Sequence, residues 1–138
     1  MTDQKELYAS LMASAVAARE FSYSPYSGYR VGAALLGADG RIYTGCNIEN
    51  AGYSPTNCAE RTAVFKAVSE GGREFTAIAV VGGLGDTLDA ACTPCGVCRQ
   101  VLSEFCESDM PVILGTPEEM RGLTLGELLP LAFTKKNL

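Results

Sequence analysis

Apolar residues along the chain recur partly at helical spacing and partly in short continuous runs, a combination typical of α/β proteins. The first segment, residues 5–21, carries apolar side chains at helical spacing from Leu7 to Phe21 and contains no glycine or proline. It predicts a helix packed on the core, and Thr2 or Asp3 could cap its first turn.

Short apolar runs predict the sheet. Residues 29–37 and 41–46 flank Asp39-Gly40, which is typical of a β-hairpin, and the first run suits a strand covered on both faces. The other predicted elements are helices at 58–70, 94–107 and 124–130, strands at 75–83 and 110–115, and an edge strand within 118–125. This order predicts a three-layer α/β/α sandwich with a mixed, mostly parallel sheet of about five strands.

Length and charge narrow the class of protein. The 138 residues suit one domain spanning 1–138, and the 11 lysines and arginines are scattered within a net charge of −5. Binding to nucleic acid needs clustered positive charge, so a small neutral ligand is favoured. No apolar run is long enough for a membrane span, and the N-terminal residues lack the pattern of a signal peptide. We therefore expect a cytoplasmic protein with no membrane partner, whose six cysteines are thiols or metal ligands.

The chain contains no histidine, which removes several classes of active site. Ser-His-Asp and Cys-His triads are excluded, and so is every zinc site that needs imidazole. Proton transfer in any reaction must therefore use carboxylates, lysine, tyrosine or cysteine.

Three cysteines and one carboxylate form the strongest chemical pattern. Cys58 stands two residues before Glu60, and Cys95 and Cys98 follow Pro94 in Cys-x-x-Cys spacing. Three thiolates can hold zinc tetrahedrally and leave one position open for water or substrate, where Glu60 could move protons. Both cysteine segments are predicted to begin helices, whose positive N-terminal dipoles favour thiolates.

The predicted helix starts also involve three neighbouring residues. Asn57 could cap the first of these helices, and Pro94 would occupy the first turn of the second. Arg61 could return toward the thiolates and offset their charge, or it could be a solvated surface cation.

Two other interpretations of the cysteines remain open at this point. A structural zinc site would be closed by a fourth ligand, for which Cys92 and Cys46 are candidates. A redox dithiol would need only Cys95 and Cys98. Cys106 is expected to pack as a small hydrophobe. The polar loop at 47–57 could bind a ligand or be an ordinary surface loop with Asx turns.

The sequence Asn57-Cys58-Ala59-Glu60-Arg61-Thr62-Ala63, followed by Pro-Cys-x-x-Cys-Arg-Gln at 94–100, resembles the small tetrameric cytidine deaminases. The resemblance extends to the segments at 24–36, 45–55, 65–71 and 127–133. Its zinc signature is the general one of the zinc deaminases. The Asn-Ile-Glu-Asn segment at 47–50 is more specific and indicates free nucleosides rather than polynucleotides.

The resemblance implies a zinc-dependent hydrolysis of cytidine and deoxycytidine to uridine and deoxyuridine with release of ammonia, in pyrimidine salvage. One zinc per subunit would be held by Cys58, Cys95 and Cys98, with Glu60 as proton carrier. Three thiolates would weaken the effect of the zinc on its bound water, and we expect hydrogen bonds from Arg61 and the two helix dipoles to offset their charge. The resemblance also implies the substrate contacts: Asn47 and Glu49 on the ribose, the Ala59 backbone and Glu60 on the base, Tyr29 against the nucleoside, and Tyr53 and Phe133 in a neighbouring subunit's pocket within a homotetramer. The competing hypotheses are a non-catalytic zinc-stabilised binding module and a deaminase of another aminated heterocycle.

Overall fold

The computed structural model describes residues 4–138, and every helix and strand predicted from the sequence is present. Thr2 and Asp3, the predicted caps, lie outside the described residues. The elements are α1 (Gln4–Arg19), β1 (Tyr29–Gly37), β2 (Ile42–Cys46), α2 (Ala59–Ser69), β3 (Phe75–Leu84), α3 (Gly96–Phe105), β4 (Pro111–Gly115), β5 (Met120–Thr124), α4 (Leu125–Leu128) and a final 3-10 turn (Lys135–Asn137). No helix among residues 4–138 has the length and apolar character needed to cross a bilayer.

The five strands form one mixed sheet in the order β2-β1-β3-β4-β5. The prediction of a mixed sheet is confirmed, but the prediction that it is mostly parallel is wrong. Within residues 4–138 only β3 and β4 pair in parallel, and the other three pairings are antiparallel. The α2 connection carries the chain across β1, so β3 pairs with β1 and not with β2.

Helices cover both faces of the sheet, which confirms the three layers. On β1, Ala33 and Leu35 pack against the side covered by α2 and α3, while Ala34 and Leu36 pack against the side covered by α1. A strand alternates its side chains between faces, so a strand with two covered faces is apolar on both, as β1 is from Val31 to its end.

Two glycines allow helices to lie directly against the sheet backbone, one on each face. A Cβ on Gly45 would lie 2.5 Å from the Ala63 nitrogen of α2 and closer still to the Ala59 oxygen. A Cβ on Gly32 would lie 2.6 Å from the Arg19 nitrogen of α1 and closer still to the Ala15 oxygen. Any other side chain at either position would push a helix away from the sheet.

The end of α1 differs from its predicted pattern. Phe21 was expected on the buried face but is 81% exposed, because the helix ends at Arg19 and the chain turns away. Arg19 is instead buried, and its guanidinium donates four hydrogen bonds to backbone carbonyls. The acceptors and distances are Arg30 (2.9 Å), Gly83 (2.9 Å), Gly85 (2.5 Å) and Thr87 (2.7 Å). This cation therefore fixes the turn that follows β3.

Candidate active site

The two helices that carry the thiols begin later than the sequence predicts, α2 by one residue and α3 by two. Cys58 is itself the N-cap of α2 and Cys95 is the N-cap of α3, both with extended backbone and without a side-chain capping hydrogen bond. The predictions that Asn57 caps α2 and that Pro94 occupies the first turn of α3 are therefore wrong. The cysteine side chains at these N-caps are left free for another partner.

The three thiols converge at the N-terminal ends of α2 and α3. The Cys58 and Cys95 sulfurs are 3.7 Å apart, and those of Cys95 and Cys98 are 3.6 Å apart. All three sulfurs lie within 4.8 Å of one another. Neither Cys46 nor Cys92 belongs to this group, so the structure brings three ligands together and not the four of a closed site.

Arg61 supplies positive charge to the thiol group. Its Nη2 donates to the Cys58 sulfur at 3.3 Å. Its Nε is buried and has no hydrogen-bond acceptor among residues 4–138, although the Cys98 thiol is near enough to act on the guanidinium. Burial lowers the pKa of Arg61, but the Cys58 and Cys98 thiols outweigh it and raise that pKa overall. A hydrogen bond with Cys98, supported by Arg61, lowers the pKa of the Cys58 thiol to about 5.

Glu60 is a buried carboxyl group beside the thiols. The residue is only 3% exposed. Burial raises the pKa of its carboxyl group to about 7, and the negative charge of Cys58 acts in the same direction. A carboxyl group that titrates near neutrality can both accept and donate a proton under physiological conditions.

A cavity of about 430 Å³ opens beside the thiols and contains most of the residues predicted to bind substrate. Its lining includes Tyr29, Asn47, Glu49, Cys58, Ala59, Glu60 and Cys95, together with Ser27, Thr56, Asn57 and Cys92. Tyr53 and Phe133 are not part of this lining. They are exposed on the surface of the single chain, at 92% and 63%.

Asn47 joins the loop after β2 to strand β1. Its Oδ1 accepts from the Val31 backbone at 2.9 Å and from the Ser22 hydroxyl, while its Nδ2 donates to the Tyr29 carbonyl at 2.8 Å. An amide has two donor hydrogens and two acceptor positions, so one N–H of Asn47 remains for a ligand.

Glu49 is held by the turn at 26–27. Its Oε1 accepts from the backbone nitrogens of Tyr26 and Ser27, and its Oε2 accepts from the Ser27 hydroxyl. The Ser27 hydroxyl is the main reason that the pKa of Glu49 is lowered. A carboxylate can accept about four hydrogen bonds, so Glu49 keeps capacity for one further donor.

Tyr29 is fixed at the side of the cavity through its hydroxyl group. This hydroxyl donates to Asp89 Oδ2 at 3.3 Å and also interacts with the Cys92 thiol. Burial, followed by the interaction with Cys92, raises the pKa of Tyr29, while burial raises the pKa of Cys92 to about 11. Cys92 is thus a protonated thiol in the cavity wall.

Sequence reasoning missed the residues that support this site, namely Ser22, Ser27 and Asp89. Their positions in polar turns were visible, but the partners of Ser22 and Asp89 are 25 and 60 residues away. Only the closeness of Ser27 to the predicted Tyr29 offered a signal.

The sequence is similar to known zinc-binding deaminases over most of its length. The model of the cytidine and deoxycytidylate deaminase zinc-binding region matches residues 5–114. The chain belongs to this family. It is 55% identical over 129 residues to the cytidine deaminase of Sporosarcina psychrophila, covering 93% of this chain and 92% of that protein. It is 52% identical to the cytidine deaminase of Halalkalibacterium halodurans, covering 93% and 95%.

A solved structure agrees with the fold as well as the sequence. The crystal structure of the Burkholderia pseudomallei cytidine deaminase has a TM-score of 0.84 and 45% identity, covering 96% of this chain and all of that one. The zinc that the family description names fits the residues present. The three close thiols are suitable zinc ligands as thiolates, and the unpaired Nε of Arg61 is a donor that can stabilise their negative charge.

Proposed function

We propose that this chain catalyses the hydrolytic deamination of cytidine and deoxycytidine, giving uridine or deoxyuridine and ammonia. The observation that carries the proposal is the placement of the buried Glu60 carboxyl beside three converging thiols at the end of one cavity. A zinc deaminase uses one glutamate beside the metal for proton transfer, and Glu60 has that position in a chain without histidine.

Glu60 carries the protons in this proposal. A zinc ion held by Cys58, Cys95 and Cys98 supplies the Lewis acidity that makes water a nucleophile at neutral pH. Glu60 accepts a proton from the attacking water and donates it to N3 of cytosine as the hydroxyl adds to C4. It then accepts the remaining proton of that hydroxyl, as the C4 carbonyl forms, and delivers it to the amino group, which leaves as ammonia. Arg61 and the N-terminal ends of α2 and α3 stabilise the negative charge of the thiolates.

The remaining hydrogen-bond capacity of the cavity suits a ribose. Asn47 has one free N–H and Glu49 has one free acceptor position, which is the complement of a sugar hydroxyl pair. The Ala59 backbone lies in the first turn of α2, where its N–H has no partner within the helix and can bind the base edge. Tyr29 places its ring along the cavity wall beside them.

A homotetramer would complete the site. Tyr53 and Phe133 are large apolar side chains exposed on the single chain, and we propose that each enters the cavity of a neighbouring copy. Sedimentation of the zinc-loaded protein measures this assembly, and a monomer that is fully active at low concentration would contradict it. We also propose that the chain acts as one catalytic domain. Its cytoplasmic location and its role in pyrimidine salvage stay predictions.

The decisive experiment is ammonia release from purified, zinc-loaded protein with cytidine, deoxycytidine, CMP and guanine. We expect turnover of both nucleosides and little of CMP, because Glu49, Glu60 and Asp89 place negative charge around the cavity. Turnover of guanine or CMP alone would favour a deaminase of another heterocycle. Stoichiometric zinc without any ammonia release would favour a binding module.

A further inference from the structure

Two adjacent residues of α3 hold the backbone of the C-terminal segment. Arg99 Nη1 donates to the Leu128 carbonyl at 2.8 Å, and Gln100 Nε2 donates to the Phe133 carbonyl at 2.9 Å. We call residues 129–133 the C-terminal arm. Its two ends are therefore fixed to the same helix that carries Cys98.

The C-terminal arm contains a backbone conformation that is unfavourable for its sequence. Leu131 has a φ of 53° and is the only residue other than glycine with positive φ among residues 4–138. It is also fully exposed, so no local packing explains this backbone. A left-handed leucine persists where the surrounding contacts determine the path of the chain. The fixed ends at Leu128 and Phe133 are those contacts.

Beyond the arm, the chain is fixed again. Thr134 and Asn137 form a capping box around the final 3-10 turn, and Lys136 pairs with Glu107 just beyond the C-terminal end of α3 at 3.0 Å. The arm is thus a short bridge between two anchored points, and it displays Leu131 and Phe133 outward.

Arg99 also contacts the metal-ligand turn. Its Nε donates to the Pro94 carbonyl at 2.7 Å, and its backbone nitrogen donates to the Cys95 carbonyl at 3.0 Å. Pro94 is fully buried and directly precedes Cys95. One planar guanidinium therefore links the turn that presents a zinc ligand with the first anchor of the arm. A planar fork with several fixed donors can bridge two carbonyls in this way, whereas an ammonium is a point charge without such geometry.

We propose that Arg99 is a positioning residue that couples the Cys95 turn to the C-terminal arm, so that each holds the other in place. Gln100 acts on the arm alone, because its one side-chain hydrogen bond among the described residues is to the Phe133 carbonyl. Because coupling between two sites is reciprocal, a change at Arg99 affects zinc retention and the arm together. The zinc and exchange readouts do not depend on the proposed function, whereas the kinetic readout does.

The experiment compares Arg99→Lys and Arg99→Met with Gln100→Ala in the zinc-loaded full chain. The measurements are the rate of zinc transfer to a chromogenic chelator, amide hydrogen exchange of the non-proline residues of the arm, above all Leu129, whose N–H donates to the Leu125 carbonyl at 2.9 Å, and kcat and KM for cytidine. Both Arg99 variants should release zinc about tenfold faster, the scale on which residues supporting metal ligands act, and should also increase exchange in the arm. Arg99→Lys decides the result if Arg99→Met does not fold.

Gln100→Ala is the matched control. It should increase exchange in the arm and raise KM with little change in kcat. Its rate of zinc transfer should stay within about twofold of the unmodified protein, which is less than the roughly 5–150-fold effects typical of coupling between two sites. The proposal is overturned if the Arg99 variants change only one of zinc transfer and arm exchange, or if Gln100→Ala releases zinc as fast as they do. If the unmodified protein does not deaminate cytidine, the proposed function fails, and the zinc and exchange measurements still test the coupling.

Discussion

Gly45 and Gly32 provide a matched pair of substitutions that separates the position of the active site from the stability of the fold. In Gly45→Ala the new Cβ would lie 2.5 Å from the Ala63 nitrogen, whereas ordinary contact begins at 3.4 Å. Helix α2 must therefore move by about 1 Å, a displacement that can cost on the order of 100-fold in rate when reacting groups are misplaced. Ala59 lies between Cys58 and Glu60, so this movement reaches the thiol and the proton carrier directly.

Gly32→Ala imposes a similar clash on the opposite face, where α1 carries no thiol and no proton carrier. Both variants should lose about 1–3 kcal/mol of stability through overpacking. Strand β2 lies at the sheet edge and can absorb part of the movement, so we expect Gly45→Ala to lower kcat by about 10–100-fold. Gly32→Ala should keep kcat and zinc content nearly unchanged.

The assay measures the melting midpoint, zinc stoichiometry and kcat for cytidine of both variants, at a temperature where both remain folded. Equal losses of kcat in the two variants would show that general destabilisation is responsible. An unchanged kcat in a folded Gly45→Ala variant would refute the inference that the close approach of α2 sets the position of the site.

Three further substitutions test individual side chains. Glu60→Gln should retain zinc and the fold but lose at least ~10³-fold in turnover, and activity within tenfold of the original would contradict its role. Arg61→Ala should release zinc ~10–100-fold faster to a chelator, with partial rescue by Arg61→Lys, whereas unchanged release would make it a surface cation. Arg19→Met should lower the unfolding free energy by about 3 kcal/mol in guanidinium titrations, since four carbonyls lose their donor. A loss below about 1 kcal/mol would mean that water replaces the guanidinium.

The thiol group was predictable because helix geometry fixes residues three apart on one side, as with Cys95 and Cys98. Their spatial closeness to Cys58 followed from the expectation that two helix starts meet at one anionic group. The strand directions were not predictable, because the length of the α2 connection does not say whether β3 pairs in parallel with β2 or crosses β1 and pairs with it in antiparallel. β1 occupies the intervening place in the sheet.

The roles of Arg19 and Arg99 could not be predicted from the sequence for a different reason. Both bind backbone carbonyls, and Arg19 reaches acceptors more than sixty residues away. Every residue has a carbonyl, so such a partnership leaves no pattern of residue types along the chain. An acidic partner would have left one. An arginine without an acidic partner in the sequence can therefore be buried as well as exposed.

The carbonyl partners of Arg19 also determine how the protein responds to acid. An ion pair weakens when its carboxylate is protonated, but amide carbonyls stay unprotonated across the ordinary pH range, and arginine keeps its proton. Thiolates, in contrast, must be deprotonated to bind a metal. On acidification the zinc centre should therefore release its metal while the turn at 83–87 remains attached to α1, so that loss of the metal and loss of this part of the fold are separate events.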